Sequence, residues 1–469
     1  MSIPFVDTKP VLTGVLTLLL ALISACATIR GPTTQEDPYL VPLTSGVRFT
    51  SVLNVGDRVP NSDKPGDTYR MVGIPDGLGA YDNLNGTITV LMNHEIGDQD
   101  GAVRRHGRKG AFVSAWQIRK ADLAVLGGKD LIQTLKVSDT DMAALTRLCS
   151  ADLAAPSAFF NSQTGLGFGN GRIFMSGEEN KKAGRAFAHI ASGPYQGTSY
   201  ELTSFGKASW ENLVANPFKQ DKTIVAGLDD AGYNKVFFYI GEKQKDGNPV
   251  EQAGLTNGKK YAVRFGGYSG DHPVRGFKTG RFDLVEDSMG TVLARPEDGA
   301  WDTTNQNRFY FVTTNSFAGN SRLWQLTFDD ITNPAAGGTA KVLLDGAVRG
   351  PKMMDNIAID RDGNLIIQED PGKEAHLARI WFYSPVTDTL TEVAQHDPAR
   401  FTPGASRFIT LDEESSGVID VSTLFQDVRD YDTGKYSYFL LDVQAHVPAD
   451  DTELVERGQL LMMRVPRQQ

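Results

Sequence analysis

The sequence predicts an all-β fold, a six-bladed β-propeller with inserted loops and short helices. Three observations predict it. Glycine is abundant, at 48 of 469 residues, and is scattered with Asn and Asp, which marks many tight turns rather than long helices. A unit recurs six times, in which a strand ending in polar residues leads through a connection to a second strand rich in aromatic or β-branched residues. Two stretches, "DGAWDTTNQNRFYFVTTN" (Asp298–Asn315) and "DNIAIDRDGNLIIQED" (Asp355–Asp370), share one pattern: a short strand after Asp, an Asn/Asp/Gly turn, then an apolar strand. Sequential antiparallel sheets repeated every few tens of residues suit a propeller, which leaves only short, protected strand edges. The spacing is irregular, so several units carry insertions. Counts of five or seven, and a β-sandwich with extra domains, are the alternatives.

The chain opens with an address. Val11 to Ala25, "VLTGVLTLLLALISA", is an apolar run too short for a comfortable membrane span and suited to the core of a signal peptide. It ends in "ISAC", small residues before a cysteine, which resembles a bacterial lipoprotein cleavage box. Residues 1–25 are thus expected as the signal peptide, Cys26 as the lipidated first residue of an exported protein in the periplasm or at the cell surface, and 26–45 as a polar tether. An ordinary cleaved signal or an uncleaved anchor is the alternative. The chain has two cysteines, so Cys149 is left without a disulfide partner.

The propeller is expected over 46–469. Its six leading strands are Thr87–Glu95, Arg172–Glu179, Lys235–Lys243, Arg308–Asn315, Asn364–Asp370 and Tyr436–His446. Their partners are, in order, "FVSAWQI", "RAFAHIAS", "KYAVRF", "RLWQLTF", "RIWFYS" and "LLMMRV". One insertion, Ala121 to Ala155, holds the helix-like "SDTDMAALTRL", and another holds "SWENLVANP". The net charge is −10 and no basic block interleaved with aromatics occurs, which argues against a nucleic-acid partner.

In a propeller blade the start of one strand and the end of its antiparallel neighbour lie on the same face. The polar strand ends, with the strand starts "RPED" and "MMDN", therefore belong at one mouth of the central channel. That mouth would gather Glu95, Glu178, Glu179, Glu242, Glu297, Asp298, Asp355, Glu369 and Asp370. So many carboxylates in one concavity must take up protons or be neutralised by cations. Oxygen ligands from several segments suit calcium. Cys149 could reach the same mouth, and a thiolate there favours a transition metal such as iron or zinc; a buried core thiol is the alternative. His94 and His446 stand at strand ends as ligands or as donors that orient ligands. No G-x-S-x-G elbow, H-E-x-x-H helix or C-x-x-C pair occurs, which excludes several common hydrolase and zinc patterns.

"VLMNHE", "RLCSAD", "SGEE", "FYIGEKQKDGNPVEQAGLTNGKKYAVRF", "RPEDGAWD", "DNIAIDRDGNLIIQED" and "FLLDVQAH", in this order from about Val47 to Val465, resemble the PhoX-type alkaline phosphatase family. The resemblance implies a six-bladed propeller whose mouth carries calcium and iron and hydrolyses phosphate monoesters, a small phosphorylated substrate. It implies metal ligation by Glu95, Cys149, Glu178, Glu179, Glu242, Glu297 and Glu369, with Glu369 preferred over Asp370. It implies phosphate binding by Arg295, whose fork suits a phosphoryl oxygen. His94, Asp298, Asp355, Asp370 and His446 are expected around these ligands. The chain departs from the family between Cys149 and Glu178, where "SADLAAPSAFFNSQTGLGFGNGRIFMSGEE" lacks the family's second cysteine, and it has no twin-arginine signal. A non-catalytic calcium-stabilised propeller used as a binding or scaffold module, and a propeller hydrolase of another ester, are the competing functions.

Overall fold

The computed structural model describes residues 28–139, 144–266 and 276–467. The export segment and Cys26 lie outside the described residues, as does part of the helix-like stretch, 140–143.

Glycine- and Asn/Asp-rich turns break the chain into short strands, and these form antiparallel sheets in sequence order. The result is a β-propeller. The first four-stranded sheet is Pro75–Asp82, Thr87–His94, Phe112–Arg119 and Val125–Asp130. Later sheets repeat the meander from inner strands at Leu148–Asp152, Trp210–Ala215, Pro296–Trp301, Met354–Ile359 and Glu413–Asp420. Among the described residues these inner strands contact one another in chain order, and Glu413–Asp420 returns to Pro75–Asp82, which closes a ring. The sheets that start at Trp210 and Pro296 merge into one nine-stranded sheet, because Thr279–Val285 pairs with Gly338–Asp345.

Both chain ends close the ring. Arg48–Asn54 pairs with Glu456–Pro466, so the last sheet contains strands from each terminus. The residues expected as a tether are not free over 28–45. Thr28–Arg30 pairs with Phe49–Ser51, Leu40–Pro42 pairs with Ala394–His396, and Tyr39 and Leu40 are buried. The reason is local: "YLVP" is an apolar strand that covers a sheet edge which would otherwise leave backbone groups unpaired.

Two further expectations are corrected. "SWENLVANP" is no mere insertion; its residues Trp210–Ala215 form a fully buried inner strand. The described end of the helix-like stretch is also strand, with Leu145 bridging Gly110 and Leu148–Asp152 forming an inner strand. Burial on both faces removes the polar/apolar alternation that marks a half-exposed strand.

The core lies between neighbouring sheets. Phe238 meets Trp301, Phe309 and Phe328 edge-on, and Trp324 stacks on Phe265 and Phe311. Each fully buried Phe contributes roughly 1.5–3 kcal/mol of transfer free energy. This packing fixes the sheets radially and points their inner strands at the axis.

Candidate metal centre at the channel mouth

Every inner strand carries a one-residue β-bulge. The pairing skips between Pro75/Leu78, Leu148/Ala151, Trp210/Leu213, Pro296/Gly299, Met354/Ile357 and, further along its strand, Ser416/Ile419. A second backbone feature repeats with it. In five units the residue that follows the second strand donates its N–H to the carbonyl just before the inner strand, Glu95 to Ile74, Glu179 to Arg147, Asp230 to Ser209, Thr314 to Arg295 and Asp370 to Met353, and in the sixth His446, within the longer strand Tyr436–Pro448, donates to Asp412, all at 2.8–3.0 Å. These bonds identify equivalent positions in units whose sequences differ.

The position two residues after the accepting carbonyl holds Asp76, Cys149, Glu211, Glu297, Asp355 and Glu414. In five units this is the first residue of the bulge, and a bulge re-aims a side chain that ordinary pleating would turn into the sheet. Two groups result, each with ligand atoms within 4.8 Å of one another: Asp76 with Glu95 and Cys149, and Glu211 with Glu297 and Asp355. All six residues are buried. Gly77 permits the first group, because a Cβ there would stand 2.5 Å from the Ala151 nitrogen in the neighbouring strand. The Cys149 thiol lies 3.5 Å from Asp76 Oδ2.

The next bulge residues form a floor of hydrogen bonds beneath these groups. Asn212 Nδ2 donates to Asp298 Oδ1 at 2.5 Å and to Ser150 Oγ at 3.2 Å, and Asn356 Nδ2 donates to Ser150 Oγ at 3.2 Å. Asp298 also accepts from the Gly299 and Ile357 backbone. The channel continues beyond this floor as a cavity of about 420 Å³ lined by Leu78, Ala151, Val214, Trp301 and Ile357.

Two arginines cover the acids from above. Arg295 pairs with Asp230 at 2.9 Å and with Glu297 Oε1 at 2.8 Å. Arg147 pairs with Glu95 Oε1 at 2.6 Å and with Glu179. They do not neutralise the mouth. Burial, reinforced by neighbouring carboxylates, pushes the pKa values of Asp76, Glu211, Glu297 and Asp355 well up from the ordinary carboxylate range. The same causes push Glu179 and Glu414 up to about 7 and raise the Cys149 thiol. Glu211 Oε1 is buried with no hydrogen-bond partner among the described residues. Such a site holds protons when empty of cations and favours cations strongly once they arrive.

The residues singled out in the sequence fall into two sets. Glu95, Cys149, Glu179, Glu297, Asp355, Asp370, Arg295 and His446 come to the mouth; His446 pairs with Glu456 at 2.7 Å and Glu414 at 3.5 Å. Asp298 belongs to the floor. The others are corrected. Glu178 is turned into its own sheet, where Arg185 Nη2 meets its Oε1 at 2.5 Å. Glu369 is likewise buried inside its sheet and accepts from the Lys352 and Arg379 backbone, Trp381 Nε1 and His376. Both lie on the strand itself, one residue short of the position that faces the channel. His94 is also one residue short: it stacks on Phe112, bonds Gly73 and Ser114, and is held neutral by burial, its pKa pushed down to about 3. Glu242 is exposed and pairs across from Lys222, at the opposite end from Asp229 and the mouth. Its strand is third in its sheet, not second, because Lys222–Asp229 comes before it.

Asp76, Glu211, Asp230, Glu414 and Arg147 were not foreseen. A signal existed for three of the units: "PDG", "WEN" and "MDN" each place an acid between an apolar residue and a Gly or Asn at the head of a buried run, and "PED" is close to them.

No family model matches the chain, and no curated protein matches it in sequence. Among solved structures, it is similar to Pseudomonas fluorescens PhoX in complex with vanadate, a transition-state analogue. The TM-score is 0.62 at 10% identity, over 93% of this chain and 97% of that one. A protein of unknown function from Dyadobacter fermentans gives 0.44 at 9% identity over 90% and 100%. The PQQ-bound aldose sugar dehydrogenase from Streptomyces coelicolor gives 0.38 at 10% over 90% and 99%. At 10% identity the likeness to PhoX shows the β-propeller fold alone.

Proposed function

We propose that the chain is a metal-dependent phosphatase of the PhoX type, hydrolysing phosphate monoesters at the mouth of the propeller. One observation carries this reading: two adjoining carboxylate-rich groups, one of them containing a thiol, stand together at the channel mouth, with Arg295 paired to Glu297 of one of them. The donor sets fit two kinds of ion. Glu211, Glu297 and Asp355 offer hard oxygens, including Glu211 Oε1, which has no hydrogen-bond partner among the described residues, and suit calcium. Asp76, Glu95 and Cys149 add a soft sulfur and suit iron.

When bound, such ions supply positive charge that polarises the phosphoryl group and activates a nucleophile. The chain's own residues do the rest. Arg295 is held on two sides by Asp230 and Glu297, which fixes its guanidinium against the mouth. It binds a phosphoryl oxygen and offsets charge that grows there in the transition state. Asn212, Ser150, Asp298 and Asn356 hold the bulges and so keep the ligand side chains aimed at the axis.

The test is metal analysis joined to turnover. Protein loaded with calcium and iron should hydrolyse p-nitrophenyl phosphate at alkaline pH, lose activity in chelator, and lose iron and activity together on Cys149→Ser. Calcium binding without turnover would overturn the enzyme reading in favour of a binding or scaffold module. We also propose that the protein is exported and anchored by lipid at Cys26, which rests on the "ISAC" box. Unchanged processing and membrane fractionation of Cys26→Ala would overturn that.

A further inference from the structure

The geometry points to Arg147 as a second anion-binding residue, which takes the substrate's phosphoryl oxyanion over the Asp76–Glu95–Cys149 group as Arg295 does over its neighbour. This rests on the phosphatase reading above.

Arg147 and Arg295 are equivalents by backbone. Each carbonyl accepts the N–H that follows its second strand, at 2.9 Å in both cases, and each stands two residues before a metal-group member, Cys149 or Glu297. Both adopt left-handed backbone, with φ of 43° and 54°. Met353 shares that conformation at φ 41°, so the turn belongs to the sheet architecture and the guanidinium is what the two positions add.

The side chains repeat one another too. Arg147 spends its Nε and Nη2 on Glu179 and Glu95; Arg295 spends its Nε and Nη2 on Asp230 and Glu297. In each, Nη1 has no protein acceptor among the described residues, which leaves two N–H donors. The side chain of Arg147 is 49% exposed and that of Arg295 30%, although their carboxylate partners are largely buried. A guanidinium locked from below by two acids, with free donors facing solvent, is pre-organised to receive an oxyanion. The two metal groups adjoin through Cys149 and Glu211. A tetrahedral oxyanion seated over that junction has one arginine on the side of each group. The acids outnumber the arginines here, so the anion binds once cations are in place.

The experiment compares metal-loaded wild type, Arg147→Gln and Arg147→Lys. It measures KM for p-nitrophenyl phosphate, the competitive Ki of inorganic phosphate, metal content and thermal midpoint. Arg147→Gln should raise both KM and Ki about tenfold or more, the size of a lost charge-assisted hydrogen bond, with metal retained. Arg147→Lys keeps the charge without the fork, and should keep its metal yet still bind phosphate more weakly than wild type. Wild-type Ki and KM in Arg147→Lys, or in a metal-replete Arg147→Gln, would overturn the proposal and reduce Arg147 to a counter-charge for Glu95 and Glu179. A rise in Ki alone, with KM unchanged, would show free phosphate binding apart from substrate and would also overturn it. If metal-loaded wild type neither turns over the ester nor binds inorganic phosphate, the phosphatase reading itself falls, which is a different result.

Discussion

Glu211→Gln should stabilise the metal-free protein while impairing its cation site. Glu211 is fully enclosed, its Oε1 has no hydrogen-bond partner among the described residues, and burial, followed by the charge of Glu179, raises its pKa well up from the ordinary range. In the unfolded chain the same carboxyl ionises near pH 4.5. Above that value the folded chain therefore holds a proton the unfolded chain has released, and unfolding free energy falls with rising pH by about 1.4 kcal/mol per unit for each such proton. The clean window begins near pH 6.5. Below it His94, His189 and His396, each buried neutral with a pKa pushed down to about 3, act with the opposite sign, because the unfolded chain binds their protons. Above it they contribute no slope. Asp76, Glu211, Glu297 and Asp355 then continue to destabilise the fold as pH rises, and His446, raised to about 11 by Glu414 and Glu456, adds to the same slope. Replacing Glu211 removes one proton from this difference. Between pH 6.5 and 8.5 in chelator, the variant should gain on wild type by up to about 3 kcal/mol, a few degrees in thermal midpoint. Calcium should shrink or cancel this gain, since a site at 100 Kd stabilises wild type by about 2.7 kcal/mol and the variant lacks one ligand. Denaturant melts at several pH values, with and without calcium, measure both effects. A variant no more stable than wild type at pH 8.5 in chelator, or equally stabilised by calcium, would refute the reasoning.

Neighbouring glutamates should behave as opposites. Glu178→Gln breaks a buried pair with Arg185 and should cost about 3–5 kcal/mol in a denaturant melt with calcium affinity little changed. Glu179→Gln should leave stability within about 1 kcal/mol and instead shift metal and phosphate titrations. Glu242→Ala should alter stability by less than about 0.5 kcal/mol and leave metal content and turnover at wild-type levels.

How much was legible follows from where parity is preserved. Polar residues closing apolar strands showed that one end of the sheets collects charge, and the structure gathers most of them there. Choosing the residue within each cluster required knowing where the strand stops. Glu178 and Glu369 are still inside the ladder, opposite Leu148 and Met354, so they face the sheet; the chain turns only at Glu179 and Asp370. A shift of one residue changes the face. Glu242 failed for a related reason, since one uncounted strand, Lys222–Asp229, reverses direction and sends its end to the far face.

The inner strands were harder, because complete burial removes alternation and a bulge breaks whatever period remains. Glu297 and Asp355 were visible only because their two units share a sequence pattern. Asp76 and Glu211 occupy the same place in units that do not share it. What unites them is a backbone bond, the N–H after the second strand to the carbonyl before the first, and that bond makes no demand on side chains. That bond therefore does not itself call for an acid two positions on. Five carboxylates and one thiol stand at these six places, at a cost in desolvation that the fold itself does not require. Protons offset part of that cost in the empty site, and cations, the chemistry these six side chains share, would offset it further.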